Sequence, residues 1–283
     1  RRARRAPARR RAESGGSRVR RRRASRGRRS PPPRGEAPAG SGGERRRRRR
    51  PPLRDGPSGP AGRGGRDDDN WHQLANKLSE HFTVITVDQR NHGKSPHTPE
   101  MSYKAMAEDV SMLMENLNIK QAYHVGHSMG GKMVMKFVDL YPEKVLKLIV
   151  VDIAPKAYAP SHTNYFNAFK SLDLSSFKTR KDADLALAKL EENTGIRQFL
   201  LKNLNKEEQG YSLKINVTTI EDFYPVMIGA IKFDHAITNP TLFIYGGLSN
   251  YINENDFTDI KTIFKNVQFD KIAEAGHWIH AEK

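Results

Sequence analysis

No cysteine occurs among the 283 residues, which excludes disulfides and thiolate metal sites. No apolar run approaches the roughly 18 residues of a membrane-spanning helix, and no secretory h-region is present. These absences make a soluble intracellular protein the default expectation, cytoplasmic first, with a mitochondrial location as the alternative. Lysine is missing from residues 1–66, where 25 arginines face four acids, Glu13, Glu36, Glu44 and Asp55. Val19 and Leu53 are the only large aliphatic residues of that segment. So little apolar surface does not offset chain entropy, and the segment is expected to be a disordered Arg/Gly/Pro-rich tail.

The formal charge of +17 is therefore uneven: the tail carries +21 and residues 67–283 carry −4. Past residue 66 the preference inverts, with 21 lysines and only Arg90, Arg180 and Arg197. Arginine, glycine, proline and alanine come from GC-rich codons, whereas lysine, asparagine and isoleucine come from AT-rich ones. The contrast predicts that the two parts do not belong together, the tail being an artefactual leader or a fusion. If the tail is genuine, runs such as Arg45 to Arg50 imply nucleic-acid binding or an import signal. A mitochondrial transit peptide also requires an amphipathic apolar face, which is not visible here.

The remaining 217 residues are enough for one domain with a sizeable core. Asn70 is placed to cap a helix whose apolar face is Trp71, Leu74, Ala75 and Leu78. "FTVITVD" (82–88) reads as a buried strand, residues 102–117 as a helix, "AYHVG" as a strand, 130–140 as a helix and "VLKLIVVD" as a strand. Residues 156–236 lack strand alternation and contain helical stretches, 182–192 and 196–204 among them. Strand character returns at "TLFIYGG", a helix is expected over 254–265, and a last strand begins "VQFDKI". The alternation predicts an α/β fold with a doubly wound, mostly parallel sheet and a helical cap insertion at about 156–236.

Ligands in such sheets sit beyond the carboxyl ends of the strands. Ser128, Asp152 and His277 fall at three of those ends, in the chain order of a nucleophile-elbow hydrolase. A hydroxyl is a weak nucleophile near neutral pH, so an imidazole must take its proton and a carboxylate must hold the imidazole in the right tautomer. Gly126 and Gly130 are expected where the turn leaves no room for side chains, and His127 is expected to pack beside the elbow. For the acid, Asp256 is the alternative to Asp152. Asp88 and Arg90 are expected to tie down the "DQRNHGKS" loop, while Trp278, Tyr165, Phe166, Phe169 and Phe199 are candidates either for an acyl pocket, with His127, or for core.

Together "DQRNHGKSPH", "GHSMGGK", "VVDIAP", "GIRQFLLKN", "YGGLSNYI" and "GHWIHAEK" resemble the YbfF-type esterases of the α/β-hydrolase superfamily, in register over residues 70–283. The resemblance implies a triad of Ser128, Asp152 and His277, a helical cap, no cofactor and no metal. It also implies hydrolysis of small short-chain acyl esters or thioesters through an acyl-enzyme. One oxyanion donor is expected to be the Met129 backbone N–H. The second comes, in that family, from a His-Gly loop ahead of the "NW" that here is Asn70-Trp71, where this chain has "AGRGGRDDDNW". Gly64 and Gly65 are the available imitation, and the final helix of the family is not reached by Lys283. The expectation is thus a truncated hydrolase of impaired activity. The alternatives are a catalytically vestigial domain with a nucleic-acid-binding tail, or a perhydrolase or C–C hydrolase on the same elbow.

Overall fold

A computed structural model describes residues 71–282. The arginine-rich segment, Gly64, Gly65 and Asn70 lie outside the described residues, and so does every expectation placed on them. Helix α1 (His72–Ser79) is followed by α2 (Tyr103–Asn116), β1 (Ala122–His127), α3 (Met129–Leu140) and β2 (Val145–Val151). Between β2 and the next sheet strand lie α4 (Thr163–Ser171), α5 (Arg180–Leu187), α6 (Thr194–Leu201), a ribbon of β3 (Leu204–Lys206) and β4 (Tyr211–Leu213), α7 (Val217–Asp222) and α8 (Tyr224–Ile228). The sheet resumes with β5 (Thr241–Gly246), then α9 (Phe257–Ile263), β6 (Val267–Ile272) and the short α10 (Ile279–Glu282).

The sheet runs β1-β2-β5-β6 with every pair parallel. Its register sets Gly126 opposite Val150 and His127 opposite Val151, while Val151 faces Ile244 on the other side. The strand ends that Ser128 and Asp152 follow are therefore side by side. Val145, Leu148, Val150 and Phe243 are buried along β2 and β5, and on α2 and α3 Met106, Val110, Val134, Phe137 and Val138 close over them. Burial of that apolar area, at about 25 cal/mol per Å², is what holds the layers together.

A second apolar cluster, Phe169, Ala183, Leu187, Leu200, Leu201 and Val217 among its members, lies wholly within the segment between β2 and β5. The helices expected there are present. The ribbon β3–β4, paired antiparallel from Leu204–Leu213 to Lys206–Tyr211, was not expected. Three residues are too few for a period-two pattern to show.

Residues 82–88 differ from expectation. They form no strand and pair with none of the described strands, and Phe82 is 51 % exposed, with Ile85 and Val87 also exposed. A β-branched run specifies extension; burial and a ladder require a neighbouring strand, and β1 is bonded only to β2 among the described strands. Phe82 instead meets Tyr123 edge to face, 5.9 Å between ring centroids. Among the described residues no helix is long and apolar enough to cross a membrane.

Candidate active site

Ser128 stands between β1 and α3 with φ +52° and ψ −119°. A side-chain-bearing residue adopts such a backbone only where its surroundings impose it. Here the Ser128 N–H donates to Val151 O (3.1 Å), and the Lys132 N–H donates to Ser128 O (3.1 Å). The turn is possible because Gly126 has no Cβ: one built there would overlap the Gly130 carbonyl oxygen. For Gly130 the expectation is corrected. A Cβ on it meets nothing within 4 Å, whereas one on Gly131 would lie 2.5 Å from Ile153 Cγ2 and 3.1 Å from Gly126 O. The tight packing of helix against strand falls on the second glycine of the pair, which faces β2 and the chain beyond it.

His277 reaches the serine from the loop after β6. Its Nε2 is 3.1 Å from Ser128 Oγ, and its Nδ1 is 2.7 Å from Asp152 Oδ2. Asp152 is fully buried at the end of β2 with φ +50°. Its N–H donates to Ile244 O (2.8 Å), its Oδ1 accepts from Gly246 N (2.9 Å), and its Oδ2 also accepts a short hydrogen bond from Ser249 Oγ. With Nδ1–H turned to the carboxylate, the lone pair of Nε2 faces the serine. Asp256, the alternative acid, is elsewhere: both its oxygens bond Lys156 Nζ (2.7 and 2.8 Å), and its Oδ2 accepts from Asn253 N.

His127 packs beside the elbow as expected, and also holds it. Its Nε2–H donates to His277 O (2.7 Å), and the two rings lie 4.6 Å apart. Met129 is the first residue of α3, so its amide belongs to the helix N-terminus, where N–H groups lack intrahelical acceptors. Trp278 touches Phe199 of α6 (4.4 Å between centroids) and approaches His127 (5.7 Å). Phe166 packs instead edge-on to Tyr224 (5.2 Å), Tyr165 donates to Glu191, and Phe169 is core. Burial, with a smaller contribution from His277, holds the His162 imidazole below its usual range.

The "DQRNHGKS" loop is tied down as anticipated. Arg90 donates to both oxygens of Asp109 (2.7 and 2.8 Å), which raises its already high pKa, and Asp88 accepts from Lys94 N and Ser95 Oγ. Sequence reasoning missed the residue that joins this loop to α7. Asn91, fully buried, accepts from Asn216 N at its carbonyl (2.9 Å) and from Asn216 Nδ2 at its side chain (3.2 Å). It also missed Ser249, which donates to Asp152, and Tyr251, whose ring lies 3.8 Å from that of His277 at 18°. No local pattern marks either residue, since both act across the tertiary fold. No cluster of metal-ligating side chains occurs among the described residues.

A serine on a strained strand-to-helix turn, with a histidine and a buried aspartate at neighbouring ends of a parallel sheet, is the arrangement of the α/β hydrolases. The chain belongs to that family: the model of the alpha/beta hydrolase fold matches residues 60–283. Among proteins it is similar to, an sn-1-specific diacylglycerol lipase, ABHD11 of Danio rerio, is 37 % identical over 223 residues, covering 76 % of this chain and 70 % of that protein. Esterase YbfF of Escherichia coli is 38 % identical over 216 residues, covering 76 % and 83 %. A solved marine microorganism esterase superposes with a TM-score of 0.73 at 42 % identity, over 76 % of this chain and 85 % of that one.

Proposed function

We propose that this chain is a serine hydrolase that cleaves short-chain acyl esters or thioesters through an acyl-enzyme. The single observation that carries the reading is the unbroken relay from Ser128 Oγ through His277 to Asp152, at 3.1 and 2.7 Å. The names of the similar proteins, esterase and diacylglycerol lipase, support an ester as the bond cleaved.

Ser128 Oγ attacks the acyl carbonyl carbon while His277 Nε2 takes the hydroxyl proton. Asp152 keeps the other ring proton on Nδ1 and stabilises the imidazolium. The carbonyl oxygen, now an oxyanion, accepts a hydrogen bond from the Met129 N–H. Collapse breaks the bond to the alcohol or thiol, which leaves with the proton from Nε2. Water then repeats the sequence on the acyl-enzyme: His277 removes its proton, the carboxylic acid departs and Ser128 regains its hydrogen.

The segment between β2 and β5, with its own apolar cluster, serves in this reading as a cap, and Trp278, Phe199 and His127 line the acyl side of the site. Hydrolysis of p-nitrophenyl acetate and butyrate, and of matched acyl thioesters, tests the proposal. Turnover is expected to disappear in Ser128→Ala. Turnover that survives that substitution would overturn it.

A further inference from the structure

The reaction requires an imidazole that stays in one plane while it gains and loses a proton, and the loop after β5 supplies two contacts to that end. Ser249 Oγ donates to the Asp152 oxygen that also receives His277 Nδ1. Two residues on, the Tyr251 ring lies almost parallel to the imidazole, 3.8 Å between centroids at 18°. His127 lies 4.6 Å from the same imidazole, and its bond to the carbonyl of residue 277 holds the backbone there. The loop itself is fastened. Tyr251 N–H donates to Ser249 Oγ (3.2 Å), and Tyr251 O accepts from the Tyr158 hydroxyl (2.7 Å), which in turn accepts from Ala154 N (2.8 Å). Tyr158 lies on the chain that leaves Asp152 toward α4, so acid, base and the entry to the helical segment are joined through one pair of tyrosines.

We infer that Tyr251 is a positioning residue for the general base: its aromatic face holds the His277 ring toward Ser128 and favours the imidazolium formed during acyl transfer. The phenol oxygen has no part in this, because the face of the ring makes the contact. A π face over a partly desolvated cation contributes enough to alter turnover roughly 5- to 30-fold. The inference rests on the hydrolase reading above.

Tyr251→Phe, Tyr251→Leu and Ser128→Ala, assayed on p-nitrophenyl butyrate with thermal melting in parallel, test it. Tyr251→Phe should keep kcat within about twofold. Tyr251→Leu should lose kcat roughly 5- to 30-fold at unchanged KM, with a melting temperature close to that of the parent. Should Tyr251→Leu not fold, Tyr251→Met fills the volume without a ring and carries the same expectation. An unchanged kcat without the ring, an equal loss in Tyr251→Phe, or a loss confined to KM would each overturn the role of Tyr251 and leave the hydrolase reading standing, provided Ser128→Ala is inactive. Activity retained by Ser128→Ala would overturn both.

Discussion

Lys132 and Gly229 are joined beneath the elbow helix: the lysine ammonium, one turn after Ser128, lies 2.6 Å from the Gly229 carbonyl oxygen at the end of α8. The carbonyls of Met227 and Ile228 stand at 3.4 and 3.3 Å, and the Tyr158 ring at 4.8 Å. Tyr103 donates to the same Met227 oxygen. A helix C-terminus presents carbonyls without intrahelical donors, and a cation there is favoured by the helix dipole as well. The helix that follows Ser128 is thereby pinned to the chain that returns from the helical segment to the sheet.

The position costs the lysine its usual protonation range. It is 1 % exposed, and burial lowers its pKa to about 8 from the 10.5 of a free lysine. Between these values the native state binds fewer protons on this amine than the unfolded chain does, so native stability should rise as pH is raised from 8 toward 10.5 and should lack that contribution below 8. Urea melts of the parent and Lys132→Met across pH 7.5 to 10 check this: the rise, of order 1–3 kcal/mol, is expected in the parent and lost in the variant. Parallel pH profiles would exclude Lys132 as its source.

The glycines of the elbow should separate by site. Alanine at Gly126 would collide with the Gly130 backbone, and at Gly131 with Ile153. The first is expected to prevent folding, and the second to cost about 1–3 kcal/mol. Gly130→Ala, with open space around its Cβ, should be neutral or more stable by up to about 1 kcal/mol, because alanine is the better helix former. Melting temperatures of the three variants provide the test, and a destabilised Gly130→Ala would count against this geometry.

The two aspartates should also part. Asp152→Asn leaves the His277 ring without the acceptor that sets its tautomer, and kcat should fall by roughly 10⁴. Asp256→Asn breaks a pair with Lys156 and a turn contact, and should leave kcat within a few-fold. Ser249→Ala removes one donor from the buried carboxylate and should cost about tenfold in kcat. Steady-state assays of all three on one p-nitrophenyl ester decide the order; equal losses at positions 152 and 256 would contradict it.

Much of this architecture was legible locally. The alternation of strand and helix from β1 to β6 follows from period and turn residues, and Ser128, Asp152 and His277 stood out as candidates because each follows a strand. The "GHSMGG" run announced the elbow, yet which of its glycines faces a neighbour depends on Ile153, outside the motif. The β-branched character of residues 82–88 was readable, but their exposure and lack of a strand partner were not, since pairing and burial are decided by what lies beside a segment. Ser249, Tyr251, Asn91 and Lys132 lie inside the quoted motifs, but nothing in those motifs signalled what each contacts. Each acts on a partner far away in the chain, Asn216 for Asn91 and Gly229 for Lys132, and no local pattern encodes such a meeting.

By its own order of residues, the chain determined which groups are available for chemistry and at which ends of which elements they stand, because propensity and periodicity are properties of neighbours along the backbone. Only the tertiary structure set Asp152, and not Asp256, beside His277, and it did so by register. Pairing β1 with β2 and β2 with β5 brings one carboxylate beneath the imidazole, while a lysine claims the other.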